Sequence, residues 1–164
     1  ESVRLNPANA KAHFNLGRVY YSAGQPAESV KSLERAVALK PDFADAHSQL
    51  GSVYEELGRR KDALKHLLEA VRLNPANAVA LNNLGVVQTK AKQYDAAVKS
   101  LRAAVTLRPE MAEAQYNLAS TYLSMKDKRA AVSVHSTLRR LDAALAKKLF
   151  GEIYGDKILD ASLK

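Results

Sequence analysis

The chain has 164 residues, 47% of them hydrophobic and 26% charged, a composition of folded globular chains and not of disordered ones. It contains no cysteine, which excludes disulfides, zinc–thiolate centres, iron–sulfur clusters and thiol catalysis. No apolar run approaches the ~18 residues of a membrane-spanning helix, and the net charge of +8 suits an anionic partner only if it gathers on one face. The opening Glu1-Ser2-Val3-Arg4 does not read as a signal peptide, so a cytoplasmic location is expected.

Pro7, Pro41, Pro75 and Pro109 follow one another at intervals of 34 residues. Leu16-Gly17, Leu50-Gly51, Leu84-Gly85 and Leu118-Ala119 keep the same interval. Leu5-Asn6-Pro7-Ala8-Asn9-Ala10 returns unchanged as Leu73-Asn74-Pro75-Ala76-Asn77-Ala78. The chain is therefore an array of repeated units. Residues 1–9 read as the tail of a preceding, incomplete unit. Residues 10–43 form the first complete unit, with a helix A over 10–23 and a helix B over 26–39. Leu16, Val19 and Tyr20 recur at helical spacing on A, and Val30, Leu33 and Val37 do so on B. Gly24 lies in the turn between them, where a left-handed residue costs little.

Units over 44–77 and 78–111 repeat this plan, and a divergent fourth covers 112–142. Gly58 marks the second turn, but Lys92 and Lys126 take that place in the third and fourth, which predicts strained or differently shaped turns there. Gly17 and its equivalents let helix B approach helix A, and Ala12, Ala46, Ala80 and Ala114 let successive units stack. Residues 143–164 complete the chain as a capping helix and tail. Asp142 can cap a helix over 143–154 whose Leu145, Leu149, Phe150 and Ile153 form one apolar stripe. A short helix lying on a membrane surface is the alternative use of that stripe.

This pattern resembles the tetratricopeptide repeat family, whose signature is W-x2-L-G-x2-Y, then A-x3-F, A and P. The first unit matches it with His13, Leu16, Gly17, Tyr20, Ser29, Leu33, Ala36 and Pro41, the second with His47, Leu50, Gly51, Tyr54, Ala63, Leu67, Ala70 and Pro75. The third supplies Leu81, Leu84, Gly85, Gln88, Ala97, Leu101, Ala104 and Pro109. The fourth keeps Leu118, Ala119, Tyr122 and Ala131, then departs with His135, Leu138 and Ala143. The resemblance implies an all-α fold, a right-handed superhelical solenoid of antiparallel helix pairs closed by a C-terminal capping helix, with the A helices lining a concave groove.

No chemistry of a reaction is legible. His13 and His47 sit where the family carries Trp, and neighbouring A helices ~10 Å apart do not bring two such rings onto one metal. No G-x-S-x-G or glycine-rich phosphate loop is present, and adjacent Glu55 and Glu56 diverge on a helix. No catalytic residue, metal or cofactor is expected, and the chain reads as non-enzymatic.

The groove-facing places implied by the resemblance carry Lys11, Arg18 and Lys90 against Asp45, Glu55, Glu56 and Glu113, close to neutral. The excess positive charge falls on B helices and turns, at Lys31, Lys65 and Lys99, at Arg59-Arg60-Lys61, and at Lys126, Lys128 and Arg129. A solvated outer surface accounts for it; without interleaved aromatics, nucleic acid is an unlikely partner. Asn15, Gln49, Asn83 and Asn117 share the sixth place of every unit, with Asn82 beside Asn83. Amides both donate and accept, so they can hold an extended main chain regardless of its side chains. The ladder is similar to that of peptide-binding family members, including the repeat arms of some glycosyltransferases. Phe14, Tyr21 and Tyr116 are the expected exposed aromatic anchors. The carboxylate clamp of chaperone-binding members is missing: its places read Phe14, Arg18, Gln49, Val79 and Asn83, or Ser48, Ser52, Asn83, Glu113 and Asn117.

The expected function is a protein–protein interaction scaffold that binds an extended peptide through Phe14, Asn15, Arg18, Tyr21, Gln49, Asn82, Asn83, Lys90, Tyr116 and Asn117. The alternatives are a self-assembling module, a weak homo-oligomer formed through its N-terminal edge, and the recognition arm of a larger multidomain protein such as a glycosyltransferase.

Overall fold

The computed structural model describes residues 9–155. The preceding-unit tail, Asn9 excepted, and the chain beyond Gly155 lie outside them. The described residues form helices only: α1 (Ala10–Ser22), α2 (Pro26–Leu39), α3 (Ala44–Glu56), α4 (Arg60–Leu73), α5 (Ala78–Lys90), α6 (Tyr94–Leu107), α7 (Ala112–Ser124), α8 (Lys128–Leu141) and α9 (Ala143–Tyr154). Each odd-numbered helix from α1 to α7 pairs with the even-numbered helix that follows it. The odd-numbered helices also touch one another in series, from α1 through to α9. This is an all-α helical-repeat solenoid.

Local chemistry sets the helix ends. The side chains of Asn9 and Asn77, in the duplicated Leu-Asn-Pro-Ala-Asn-Ala segments, accept from the N–H of Ala12 at 3.1 Å and of Ala80 at 3.0 Å. Asp142 does the same for α9, accepting from Leu145 at 2.9 Å. Gly24 and Gly58 turn the chain with φ of 69° and 73°. Lys92 and Lys126 adopt the same left-handed conformation, at 60° and 63°. These two turns therefore keep the shape of the glycine turns and carry the strain of a Cβ in that region.

Leu33, Leu67 and Leu101 are fully buried between the helices of their pairs, and Leu138 is fully buried in the cluster that the fourth pair shares with α9. A Cβ on Gly17 would stand 2.7 Å from Leu33 Cγ, and one on Gly51 would stand 2.5 Å from Leu67 Cγ. Only a hydrogen fits there, which is why glycine follows leucine in three units. The core runs without a break from Val30 and Leu33 through Leu50, Val53 and Leu67 to Leu84 and Val87. A second cluster joins the fourth unit to α9 through Ala119, Leu138, Ala146, Leu149 and Ile153. The expected apolar stripe of α9 thus faces the array.

Val53, Val87 and Thr121 are buried where one unit stacks on the last, whereas Val19, at the same place in α1, is 63% exposed. His47 is buried too, but its partner is unexpected. Its Nδ1 lies 3.0 Å from Nδ1 of His66 on α4, and its Nε2 lies 3.0 Å from the Pro41 carbonyl. Since Nε2–H must donate to that carbonyl, His47 Nδ1 accepts, and His66 donates to it. Burial, followed by the neighbouring His47 and Lys65, pushes His66 down to about 4.

Candidate functional site

Repetition places the sixth-place amides in register along the odd-numbered helices. Their faces enclose a cleft of about 470 Å³ lined by Tyr21 from α1, Gln49, Ser52 and Glu55 from α3, Asn82, Asn83 and Val86 from α5, and Glu113 and Asn117 from α7. Five of the expected residues, Tyr21, Gln49, Asn82, Asn83 and Asn117, come together here. Asn15 and Arg18 do not join them; with Val19 and Ser22 they line a separate hollow of about 380 Å³ on α1.

The amides form a relay across three helices. Asn117 Nδ2 donates to Asn82 Oδ1 at 2.9 Å, Asn82 Nδ2 donates to Asn83 Oδ1 at 3.3 Å, and Asn83 Nδ2 donates to Ser52 Oγ at 2.8 Å. Each amide spends one N–H on the relay out of two donors and two acceptor lone pairs. Asn82 is buried and works as the link between its two half-buried neighbours. The ladder is thus braced from within before any ligand arrives.

The aromatic side chains divide. Tyr21 is exposed in the cleft; the Glu56 carboxylate beside its hydroxyl, together with burial, raises its pKa. Phe14 is half-buried against Phe43, ring centroids 4.9 Å apart. Tyr116 is also half-buried: its hydroxyl donates to Glu152 of α9, and Lys148 stands 4.7 Å over its ring. The expectation of three exposed anchors therefore holds only for Tyr21, because the inter-unit seam covers Phe14 and α9 covers Tyr116.

Lys90 is committed to an ion pair with Glu55 at 2.6 Å, across the seam between α5 and α3. Glu55, Glu113, Ser52 and Val86 line the cleft without having been singled out as site residues. Their groove-facing places in the repeat were the signal that pointed to them. Among the described residues no group of three or more His, Cys, Asp or Glu side chains is placed to hold a metal, and no helix is long and apolar enough to cross a membrane. Lys31, Lys65 and Lys99 are exposed on the even-numbered helices.

Comparison with known proteins agrees with this architecture. A TPR repeat model matches residues 17–58, and two tetratricopeptide repeat models match residues 42–110 and 88–149. No curated protein matches the sequence. Among solved structures, a crystal structure of MamA superimposes with a TM-score of 0.80 at 24% identity, over 89% of this chain and 85% of that one. YrrB, described as a TPR protein with an unusual peptide-binding site, gives 0.78 at 26% identity, over 89% and 76%. A mutant O-GlcNAc transferase of Thermobaculum terrenum gives 0.74 at 27% identity over 80% of this chain, which spans only 26% of the transferase. A helical-repeat array of this kind is a protein-interaction scaffold. With contiguous matches from residue 17 to residue 149, the chain belongs to the tetratricopeptide repeat family.

Proposed function

We propose that the concave cleft holds an extended segment of a partner protein and grips its main chain through the amides of Gln49, Asn83 and Asn117. The observation that carries this reading is the relay itself: a row of amides, braced by one another, facing a cleft of about 470 Å³. A peptide main chain offers alternating donors and acceptors, which amides match without regard to sequence. The likeness to YrrB supports the same reading. In this reading the chain binds and does not catalyse, and Tyr21 is the aromatic anchor at one end of the cleft.

Replacing both Asn83 and Asn117 by Ala should weaken binding of a groove ligand roughly tenfold to a hundredfold, at ~1 kcal/mol or somewhat more for each hydrogen bond lost. Replacing Lys65 and Lys99 by Ala on the outer face should leave affinity almost unchanged. Calorimetry on a ligand recovered by affinity capture checks both. If the lysine pair matters and the asparagine pair does not, the site is convex and electrostatic. The asparagine variant should also lose about 1–2 kcal/mol of stability, because Asn117→Ala removes the donor to the buried Asn82 carbonyl. Binding is therefore compared well below the melting transition.

A second reading rests on Val19, whose counterparts in later units are buried while it is 63% exposed. This end of the array can be covered by a second copy, giving weak self-association. The partial match to a transferase more than three times longer suggests a third arrangement, in which the array is the recognition arm of a larger protein.

A further inference from the structure

The cleft contains one buried charge with an unmet valence. Glu55, at the C-terminal end of α3, has a side chain only 14% exposed. Its Oε1 accepts from Lys90 Nζ at 2.6 Å, while Oε2, among the described residues, is shielded from solvent and has no hydrogen-bond partner. Buried acceptors are normally paired, and one left unpaired calls for an explanation. Lysine cannot supply it: an ammonium on a flexible stem is a point donor, and here it engages one oxygen. A guanidinium is a planar fork whose two parallel N–H groups match both oxygens of a carboxylate.

We infer that the partner segment contributes an arginine side chain to Glu55, and that Lys90 holds this place in the free chain. Lys90 is the last residue of α5 and its side chain is 53% exposed, so it can swing into water without disturbing a helix. Its departure takes away the partner of Oε1 and leaves both Glu55 oxygens without a donor. The cleft suits an arginine in other ways. Glu113 adds a second carboxylate to its lining, and no lysine or arginine is among the lining residues. Tyr21 offers a ring face on which a guanidinium can stack, and the side-chain carbonyl of Gln49 can accept one of the outer N–H groups. A lysine from the partner would only exchange one ammonium for another and leave Oε2 as it was.

This inference rests on the groove-binding reading above and adds the chemistry of one side chain. The test uses the full chain, labelled with ¹⁵N, and acetylated, amidated heptapeptides of Ala, Gly and Ser whose central residue is Arg, Lys, citrulline or Ala. The amide shifts of cleft residues report binding. The arginine peptide should bind about tenfold tighter than the lysine, citrulline and alanine peptides, the worth of a bidentate charge-assisted pair. The preference should vanish in Glu55→Gln. Lys90→Met should tighten the arginine peptide several-fold, since it removes the internal competitor. Citrulline binding as well as arginine, a preference that survives Glu55→Gln, or weaker binding in Lys90→Met would each overturn the inference. The wild-type peptide series decides it even if a variant folds poorly. Equal binding of all four peptides, abolished by Asn83→Ala with Asn117→Ala, would refute the arginine site and leave the main-chain reading standing. No cleft shift with any peptide at millimolar concentration would refute both.

Discussion

Lys92 and Lys126 show what the array tolerates at single residues. Both occupy the left-handed conformation that Gly24 and Gly58 supply in the first two turns. A residue with a Cβ carries about 1–2 kcal/mol of strain there, offset by the greater freedom that glycine gives the unfolded chain. The strain is the larger effect, so Lys92→Gly and Lys126→Gly should each raise stability by roughly 0.5–1 kcal/mol. Urea unfolding of the two variants checks this, and a loss of stability would mean that the lysine side chains make a compensating contact. The histidine pair is a second residue-scale device. His66 stacks on Tyr54, whose ring lies 5.6 Å away and whose hydroxyl donates to Glu34. With its folded pKa lowered from 6.5 to about 4, His66 takes up a proton more readily when unfolded. Its contribution is therefore complete above pH 6.5 and is lost as the pH falls towards 4. The urea midpoint should drop over that window more steeply in the wild type than in His66→Gln. Parallel pH profiles would show that His66 does not take up its proton on unfolding.

At the scale of elements, the fourth unit and α9 depend on each other. The repeat signature fades after Ala131, yet α8 keeps its place because Leu138 is buried against the terminal helix cluster. α9 in turn begins at Asp142, whose side chain accepts from the Leu145 N–H at 2.9 Å. Asp142→Ala should cost about 1 kcal/mol, the usual worth of such a cap. The loss should appear first as faster amide exchange in α8 and α9, because a repeat array opens from its ends. Uniform loss of protection through α1 to α9 would mean that the array unfolds as one block. The groove also depends on elements and not on single side chains. Asn82, Asn83 and Asn117 come from two helices and Ser52 from a third, so a shift in stacking breaks the relay without touching its residues.

For the whole molecule, the two ends of the described array differ. α9 closes one end with Leu149 and Ile153 buried, whereas α1 leaves Val19 exposed at the place where Val53, Val87 and Thr121 are covered by a neighbour. In the self-association proposed above, a second copy stacks on the exposed Val19 face of α1. Sedimentation at ~100 μM, well above a ~10 μM weak dissociation constant, should show dimer, and Val19→Glu should abolish it. A strictly monomeric wild type would rule this edge out. Lys31, Lys65 and Lys99 are exposed on the even-numbered helices, while Arg18 stands beside Val19 in the hollow on α1.

The sequence by itself determined the helices, their pairing and their order. The 34-residue interval of Leu-Gly pairs and prolines repeats the same local problem, a helix ended by proline and a glycine that lets its partner approach. Local rules solve it the same way each time. The likeness to tetratricopeptide repeats supplied the groove places and periodicity carried them from unit to unit; of the expected residues, Tyr21, Gln49, Asn82, Asn83 and Asn117 line the cleft. The tertiary structure decided what those places do. Asn82 and Asn83 adjoin in sequence, but only stacking makes one a buried link and the other half of a bond to Ser52. His47 was set against the histidine one unit away, and the folded chain pairs it with His66 across two helices instead. Tyr116 lost its exposure to a helix that starts 27 residues later in the chain, since Ala143 follows it at that distance. Glu55 and Lys90 met across a seam that neither helix specifies alone. Hydrogen bonds and ion pairs depend on distances of a few tenths of an ångström, and those distances are fixed by packing between units, which no pattern within a unit records.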